Sequence, residues 1–404
     1  MGVDMKVKYV LWCALASLGA LFPWMGGADV PADGRLSFTD AEIRAILSHG
    51  PWPVPGTNDP TNRASGKREA IEFGERLFFD TRLSATGKFS CGTCHIPERN
   101  WTDNQTRGVA VARMDRNTPT LMNVRLGRSF GWDGGSDSLW SQSIRPMLDP
   151  RELGSSARQI AELVRNDEQF SCRYRKTFGS PPSATDDEAV LVGIGKALAA
   201  FQETLDSAPT PFDKFRDALA RGERITPWSY SEAAQRGLRI FIGKGACNTC
   251  HTGPNFTNGE FHDNGFSTLD APGRSDPGRI EGIKRVRESR FNLLGPYNDD
   301  ATRSTAAATS SVKAGPRDLH AFKVPTLRNM LLTSPYGHHG EILSIADIVR
   351  HYSDLDTERL QGRAEGRLKA LKLTAAEQTD LVVFLESLTS FSNPWRPEDM
   401  GRCY

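Results

Sequence analysis

Net charge is almost absent from this chain: 50 Lys and Arg stand against 49 Asp and Glu, leaving +1 at pH 7. No polybasic tract is present, so nucleic acid and anionic membrane surfaces are not expected partners. Convincing period-two stretches are scarce, which argues against a sandwich or barrel and for a mainly α protein. Long hydrophobic runs are lacking as well. The one candidate, Tyr9 to Phe22, is short for a membrane span. Lys6 and Lys8 precede it and Gly26-Gly27-Ala28 follow, so residues 1–28 read as a secretory signal whose removal leaves no stable span. Trp24-Met25 extend the apolar stretch, which keeps an uncleaved anchor as the alternative. Histidine is missing altogether between His95 and His251. Cysteine is sparse: there are seven, and Cys13 would leave with the signal.

Four of the remaining six cysteines stand in Cys91-Gly92-Thr93-Cys94-His95 and Cys247-Asn248-Thr249-Cys250-His251. Cys-X-X-Cys-His attaches c-type haem: two thiols three apart reach the porphyrin vinyl groups, and the next imidazole binds iron. A lone motif could be a disulfide or zinc pair before a His, but two copies 156 residues apart point to two covalently bound c-type haems. Cys172 and Cys403 are left over. In an oxidising compartment they suggest a disulfide, with two free thiols as the alternative, because sequence carries no geometry. Export and c-type attachment agree on the periplasm.

A length of 404 residues suits two domains, read here as 29–215 and 216–404, with the C-terminal tail able to pack back on the first. The stretch to Pro60, rich in Pro and Gly, reads as an extended arm. Ala70, Ile71, Phe73, Leu77 and Phe78 form a helical stripe before the first haem motif, and Ala233, Leu238, Ile240 and Phe241 form one before the second. Helix, haem motif and loop therefore recur as an internal repeat, that of two cytochrome c-like domains. Helical periodicity also covers 157–166, 188–205, 345–352 and 375–388. Residues 272–318, charged and rich in Gly, Ala, Ser and Thr, read as a long exposed excursion.

His95 and His251 supply one axial ligand each. An electron-carrying haem usually has a second axial side chain, whereas a peroxide-reacting haem keeps that position open. With no His between the motifs, Met114 and Met122 are the nearby thioethers for the first iron, and Met114 is the better rival to an open site. Met more often fills gaps in packing. For the second iron the candidates are Tyr336, His338, His351 and Tyr352, among which the residues alone do not choose.

Several segments resemble the bacterial di-haem cytochrome c peroxidase and MauG superfamily over most of the chain. They are Phe73-Gly74-Glu75-Arg76-Leu77-Phe78-Phe79-Asp80, Arg82-Leu83-Ser84, Thr102-Asp103-Asn104, Arg116-Asn117-Thr118-Pro119-Thr120 and Trp132-Asp133-Gly134. Phe322-Lys323-Val324-Pro325-Thr326-Leu327-Arg328-Asn329 and Thr333-Ser334-Pro335-Tyr336 complete the set. The resemblance implies that Trp132 lies between the haems. It also implies that Gln142 and Glu152, at successive steps of ten residues, belong to the distal pocket of the peroxide-reacting haem. A carboxylate there can take a proton from hydrogen peroxide and return it to the leaving oxygen, while a carboxamide holds the peroxide by hydrogen bonds. A calcium ion between the haems is implied as well, on the Asn117 side chain and the Thr333 and Pro335 carbonyls, the hard oxygen donors that calcium prefers.

Three departures refine the resemblance. The stretch Gly108-Val109-Ala110-Val111-Ala112 lacks the mobile-loop His of the typical peroxidases. The position fourteen after His338, where they place a Met, is Tyr352. Both features are similar to the MauG branch. An anionic phenolate lowers an iron's potential, and a thioether raises it. Gly245, however, stands where MauG has a Trp that passes electrons from its protein substrate. The expected function is a periplasmic oxidoreductase that reacts with hydrogen peroxide at the His95 haem. Electrons would come through the His251/Tyr352 haem from a small periplasmic donor protein or from a protein substrate. The rival is a non-catalytic di-haem electron carrier or redox sensor with both irons six-coordinate.

Overall fold

The computed structural model describes residues 36–223, 229–271, 273–356, 368–392, 395–397 and 401–404, so the expected signal at 1–28 lies outside them. Among the described residues the chain is mainly helical. The helices are α1 (Asp40–Leu47), α2 (Arg68–Phe79), α3 (Cys91–Cys94), α4 (Leu139–Leu148), α5 (Ala157–Asn166), α6 (Glu168–Phe178) and α7 (Asp187–Gln202). They continue with α8 (Pro211–Ala220), α9 (Glu232–Ile242), α10 (Arg279–Glu288), α11 (Ala307–Ser311), α12 (Ile345–Ser353) and α13 (Ala375–Glu386). Four short strands, β1 (Phe261–His262), β2 (Leu269–Ala271), β3 (Arg274–Ser275) and β4 (Phe322–Lys323), form two antiparallel pairs, β1 with β4 and β2 with β3. No helix among the described residues is long and apolar enough to cross a membrane.

Two hydrophobic cores organise these helices. In the first, Phe73, Leu77 and Phe78 of α2 meet Val190, Ile194, Leu198 and Phe201 of α7. Residues 190–202 are buried on every side, so α7 is the central helix of that core. In the second, Leu238 and Phe241 of α9 meet Leu381 and Phe384 of α13. Side chains at the N-caps start these helices: Asp186 accepts from the Ala189 amide, Ser231 from Ala234 and Thr374 from Glu377.

The repeat extends to atomic detail. A Cβ on Gly74 of α2 would sit 2.0 Å from the Ala197 carbonyl oxygen, and one on Gly237 of α9 would sit 2.0 Å from that of Asp380. Each helix pair therefore crosses at a glycine where only a bare backbone fits. Asn123 and Asn329 both adopt left-handed backbone, with φ 61° and 59°. Each donates its amide to a carbonyl just beyond the central helix, Leu205 at 2.7 Å and Leu388 at 3.0 Å. Each accepts at Oδ1 from the residue two further on, Ser207 at 2.8 Å and Ser390 at 2.9 Å. Gly74→Ala and Gly237→Ala are each expected to cost about 1–3 kcal/mol through overpacking. Gly56→Ala, with nothing within 4 Å of the added atom, should leave stability nearly unchanged. Thermal melts of the three variants check this.

Two readings of the sequence are corrected. The arm before Pro60 is not wholly extended: it contains α1, closed by a reciprocal Thr39–Glu42 capping box, and Ile46 is buried in the second core. Residues 272–318 are not a free excursion. Leu293 and Ala306 are buried in the first core, and Asp299 pairs with the buried Lys196 of α7. A few apolar anchors in a polar, Gly-rich stretch leave no periodic signal. Segments of the chain thus cross between cores: α1 and α8 pack on the second, while 291–306 and Trp395 pack on the first. Cys172 of α6 and Cys403 form a disulfide. Gln169 reinforces it, accepting from the Cys403 amide at 2.7 Å and donating to its carbonyl at 3.3 Å.

Candidate functional site

The two Cys-X-X-Cys-His segments share one local geometry. The His95 amide donates to the Cys91 carbonyl at 3.0 Å, and the His251 amide to that of Cys247 at 2.9 Å. That turn brings the two thiols and the following imidazole together. Nδ1 of His95 lies 3.0 Å from the Trp101 carbonyl oxygen, and Nδ1 of His251 lies 3.0 Å from that of Phe256. Burial lowers the pKa of both imidazoles, that of His251 to about 4, so both are neutral. A neutral ring that donates at Nδ1 presents its Nε2 lone pair, the form that ligates iron. Paired thiols and an oriented imidazole fit a c-type haem at each segment.

Around the first segment the structure gathers residues distant in sequence. Glu152 follows α4 and is 21% exposed. Burial pushes the Cys91 and Cys94 thiols up, and the Glu152 carboxylate adds to that rise at both, so it lies within electrostatic reach of the pair. Burial also raises the carboxyl of Glu152 itself, opposed by the Arg145 guanidinium at 3.9 Å. Gln142 lies on α4, and its Oε1 is buried with no hydrogen-bond partner. An orphaned buried acceptor is costly and calls for a donor that arrives with a ligand. Arg145, one turn further along the helix, is a site residue that sequence reading missed; its i+3 spacing from Gln142 was the available signal.

The 108–114 loop closes over this region. The Val111 and Ala112 amides donate to the Glu152 and Arg151 carbonyls at 3.3 and 2.9 Å, and the Val109 carbonyl lies 3.7 Å from the Cys94 sulfur. Met122 is buried in the first core, which is its bland packing role. Met114 sits at the base of the loop, its amide bonded to Gly108.

At the second segment the four ligand candidates separate. The Tyr352 phenol is raised by burial and then by the Cys247 and Cys250 sulfurs, so it lies within electrostatic reach of that pair. Neighbouring His351 turns away, with Nε2 at 3.0 Å from the Asn264 carbonyl oxygen. Tyr336 donates to the Met330 carbonyl at 2.8 Å. His338 stacks on Phe322 with ring centroids 3.5 Å apart. A Cβ on Gly245 would lie 2.9 Å from the Ile240 carbonyl oxygen, so this backbone has no room for the missing Trp without a shift.

Trp132 occupies the junction. Its indole donates to the Asn117 carbonyl at 2.9 Å, its own carbonyl accepts from the Lys323 amide at 2.8 Å, and its ring lies 6.4 Å from that of His338. The Asn117 amide donates to the His338 carbonyl at 2.9 Å, and Asn104 Nδ2 donates to the Ser334 carbonyl at 2.8 Å. These bonds bring the Asn117 loop against the segment that carries Thr333 and Pro335. Buried charges lock the same junction. Arg116 bonds Asp276 at 2.8 Å and Asp133 at 2.7 Å, and Arg285 also reaches Asp133 at 2.7 Å. Burial pushes the Asp133 carboxyl up, but the two guanidiniums outweigh it and hold it at about 2.

The di-haem cytochrome c peroxidase family model matches residues 68–221. Methylamine utilization protein MauG of Methylorubrum extorquens is 31% identical over 322 residues, 79% of this chain and 78% of that protein. Cytochrome c551 peroxidase of Nitrosomonas europaea is 28% identical over 323 residues, 80% of each. Among solved structures, a MauG-like protein associated with microbial copper homeostasis superposes with a TM-score of 0.64 at 25% identity. The match covers 86% of this chain and all of that one.

Proposed function

This chain belongs to the di-haem cytochrome c peroxidase and MauG family, and from that premise we propose that it is a periplasmic di-haem oxidoreductase of the MauG-like branch acting on hydrogen peroxide. The observation that carries the reading is the inequality of the two motifs: the Cys91 and Cys94 thiols feel the raised carboxyl of Glu152, whereas the Cys247 and Cys250 sulfurs act on the phenol of Tyr352. Haem bound at each motif would supply the iron and the electrons for O–O cleavage. Around the first, Gln142 accepts a hydrogen bond from peroxide, and Glu152 takes a peroxide proton and delivers it to the departing oxygen. Trp132 joins the two sites. Tyr352 would help to hold the second haem's iron through its phenol oxygen. Asn117, Thr333 and Pro335 would hold a calcium ion at the junction through oxygen donors, which calcium prefers.

In this reading residues 29–215 and 216–404 are two cytochrome c-like domains, each with one haem, that exchange segments, α1 and α8 serving the second core and 291–306 the first, and residues 1–28 export the chain. The reductant is a small periplasmic electron-transfer protein or residues of a protein substrate. The oxidised protein is expected to give one high-spin and one low-spin ferric haem by electronic and EPR spectroscopy. A wholly low-spin spectrum would favour the carrier or sensor reading, with Met114 as the missing ligand.

A further inference from the structure

We propose that residues 36–55 and the C-terminal residues 395–397 and 401–404 are exchanged straps. Each would hold the axial histidine of the haem motif that lies in the other half of the chain, with His49 and Trp395 as the positioning residues. The inference rests on the two-haem reading above.

The carbonyls that accept from His95 and His251 belong to Trp101 and Phe256, and both residues have positive φ, 62° and 50°. A bulky side chain adopts left-handed backbone only where its surroundings over-determine it. Both rings are fully buried, and each is covered by a ring brought from far along the chain. Trp395 meets Trp101 edge-on with centroids 5.3 Å apart, and also packs on Phe79 at 5.6 Å. His49 stacks flat on Phe256, with centroids 4.4 Å apart and planes within 7°.

Each strap is fastened separately. The tail is joined to α6 by the Cys172–Cys403 disulfide and by Arg173, which donates to the Gly401 carbonyl at 2.7 Å. The 36–55 arm is held by Arg216, which donates to the His49 carbonyl at 2.9 Å, and by Arg328, whose guanidinium lies 3.6 Å over Trp52. His49 itself is fully buried. Its Nδ1 lies 3.1 Å from the Gly253 carbonyl oxygen, inside the loop that follows His251, and its Nε2 has no hydrogen-bond partner. Keeping a buried imidazole with one unsatisfied nitrogen is expensive for mere packing. The hydrogen bond to a ligating histidine's second nitrogen sets its orientation and basicity, so a strap that fixes the accepting carbonyl tunes the iron.

The test uses the mature protein with its attached haems. Trp395→Ala should shift the midpoint potential and EPR signal of the first haem and leave those of the second unchanged. His49→Ala should do the reverse. Trp395→Phe and His49→Phe, which restore a covering ring, should lie nearer to wild type. Cys172→Ser combined with Cys403→Ser should move the first haem in the same direction as Trp395→Ala. Because each variant leaves one haem as an internal control, general unfolding would be seen as loss of both signals. Unmoved signals, or equal shifts at both haems in a folded variant, would overturn the proposal. A mass spectrum without two attached haems would overturn both this proposal and the reading beneath it.

Discussion

Glu152→Gln is expected to lower peroxide turnover by roughly 10²–10⁴-fold, the range for loss of a positioned general acid–base group. The amide keeps the size and much of the hydrogen bonding of the carboxyl but cannot carry the proton between the two oxygens. Burial raises the pKa of Glu152, and the base must be ionised. Wild-type activity should therefore fall on acidification at a higher pH than an ordinary glutamate would give, and this acid limb should vanish in the variant. Stability runs the other way. A carboxyl raised in the folded state favours folding below its unfolded pKa, and that contribution is lost as pH rises through the folded value. At neutral pH the substitution should leave the thermal midpoint equal or slightly higher, which separates lost catalysis from lost folding. Steady-state turnover across pH, paired with melts, is the measurement; intact turnover in the variant would remove Glu152 from the mechanism.

Replacing Tyr352 by Met should raise the midpoint potential of the second haem by on the order of hundreds of millivolts, within the ~0.8 V that axial ligands command. An anionic phenolate stabilises the ferric state, and a neutral thioether does not. Burial disfavours the free phenolate at Tyr352, so only a nearby cation makes that form accessible, and iron is the cation this site is read to hold. The companion variant Tyr352→Phe should change the low-spin EPR signal of the second haem while sparing the first. If that signal is unchanged, the phenol is not bound. His338 or His351 would then have to leave its present contacts, the Phe322 stack or the Asn264 carbonyl, to become the ligand.

Much of the helical framework was legible because it is locally encoded. Periodicity over 157–166 coincides with α5, and that over 345–352 and 375–388 falls on α12 and α13. The α4 helix escaped notice because Pro146 and polar Ser and Gln residues interrupt its stripe, although Ser138 caps it and Trp140, Ile144 and Met147 are buried. The site was less legible. Gln142 and Glu152 are ordinary polar residues until the fold orphans a buried oxygen on one and raises the carboxyl of the other within electrostatic reach of the Cys91 and Cys94 thiols. The resemblance picked them out, but nothing in their spacing requires it.

What the sequence determined by itself is the pair of haem attachment segments, since five consecutive residues carry that chemistry wherever the chain places them. It also determined the helices whose apolar stripes lead into those segments. Tertiary structure decided the rest. His351 and Tyr352 are neighbours on one helix, yet side chains about 100° apart on a turn of 3.6 residues meet different surroundings, so only the docking of α12 distinguishes them. Cys172 and Cys403 are 231 residues apart, and their pairing depends on a tail that crosses to the first core. The covering of Trp101 by Trp395 and of Phe256 by His49 is likewise a product of chain crossing. Local chemistry survives in one dimension; a contact between distant segments exists only once loop-closure entropy has been offset by the burial that folding achieves.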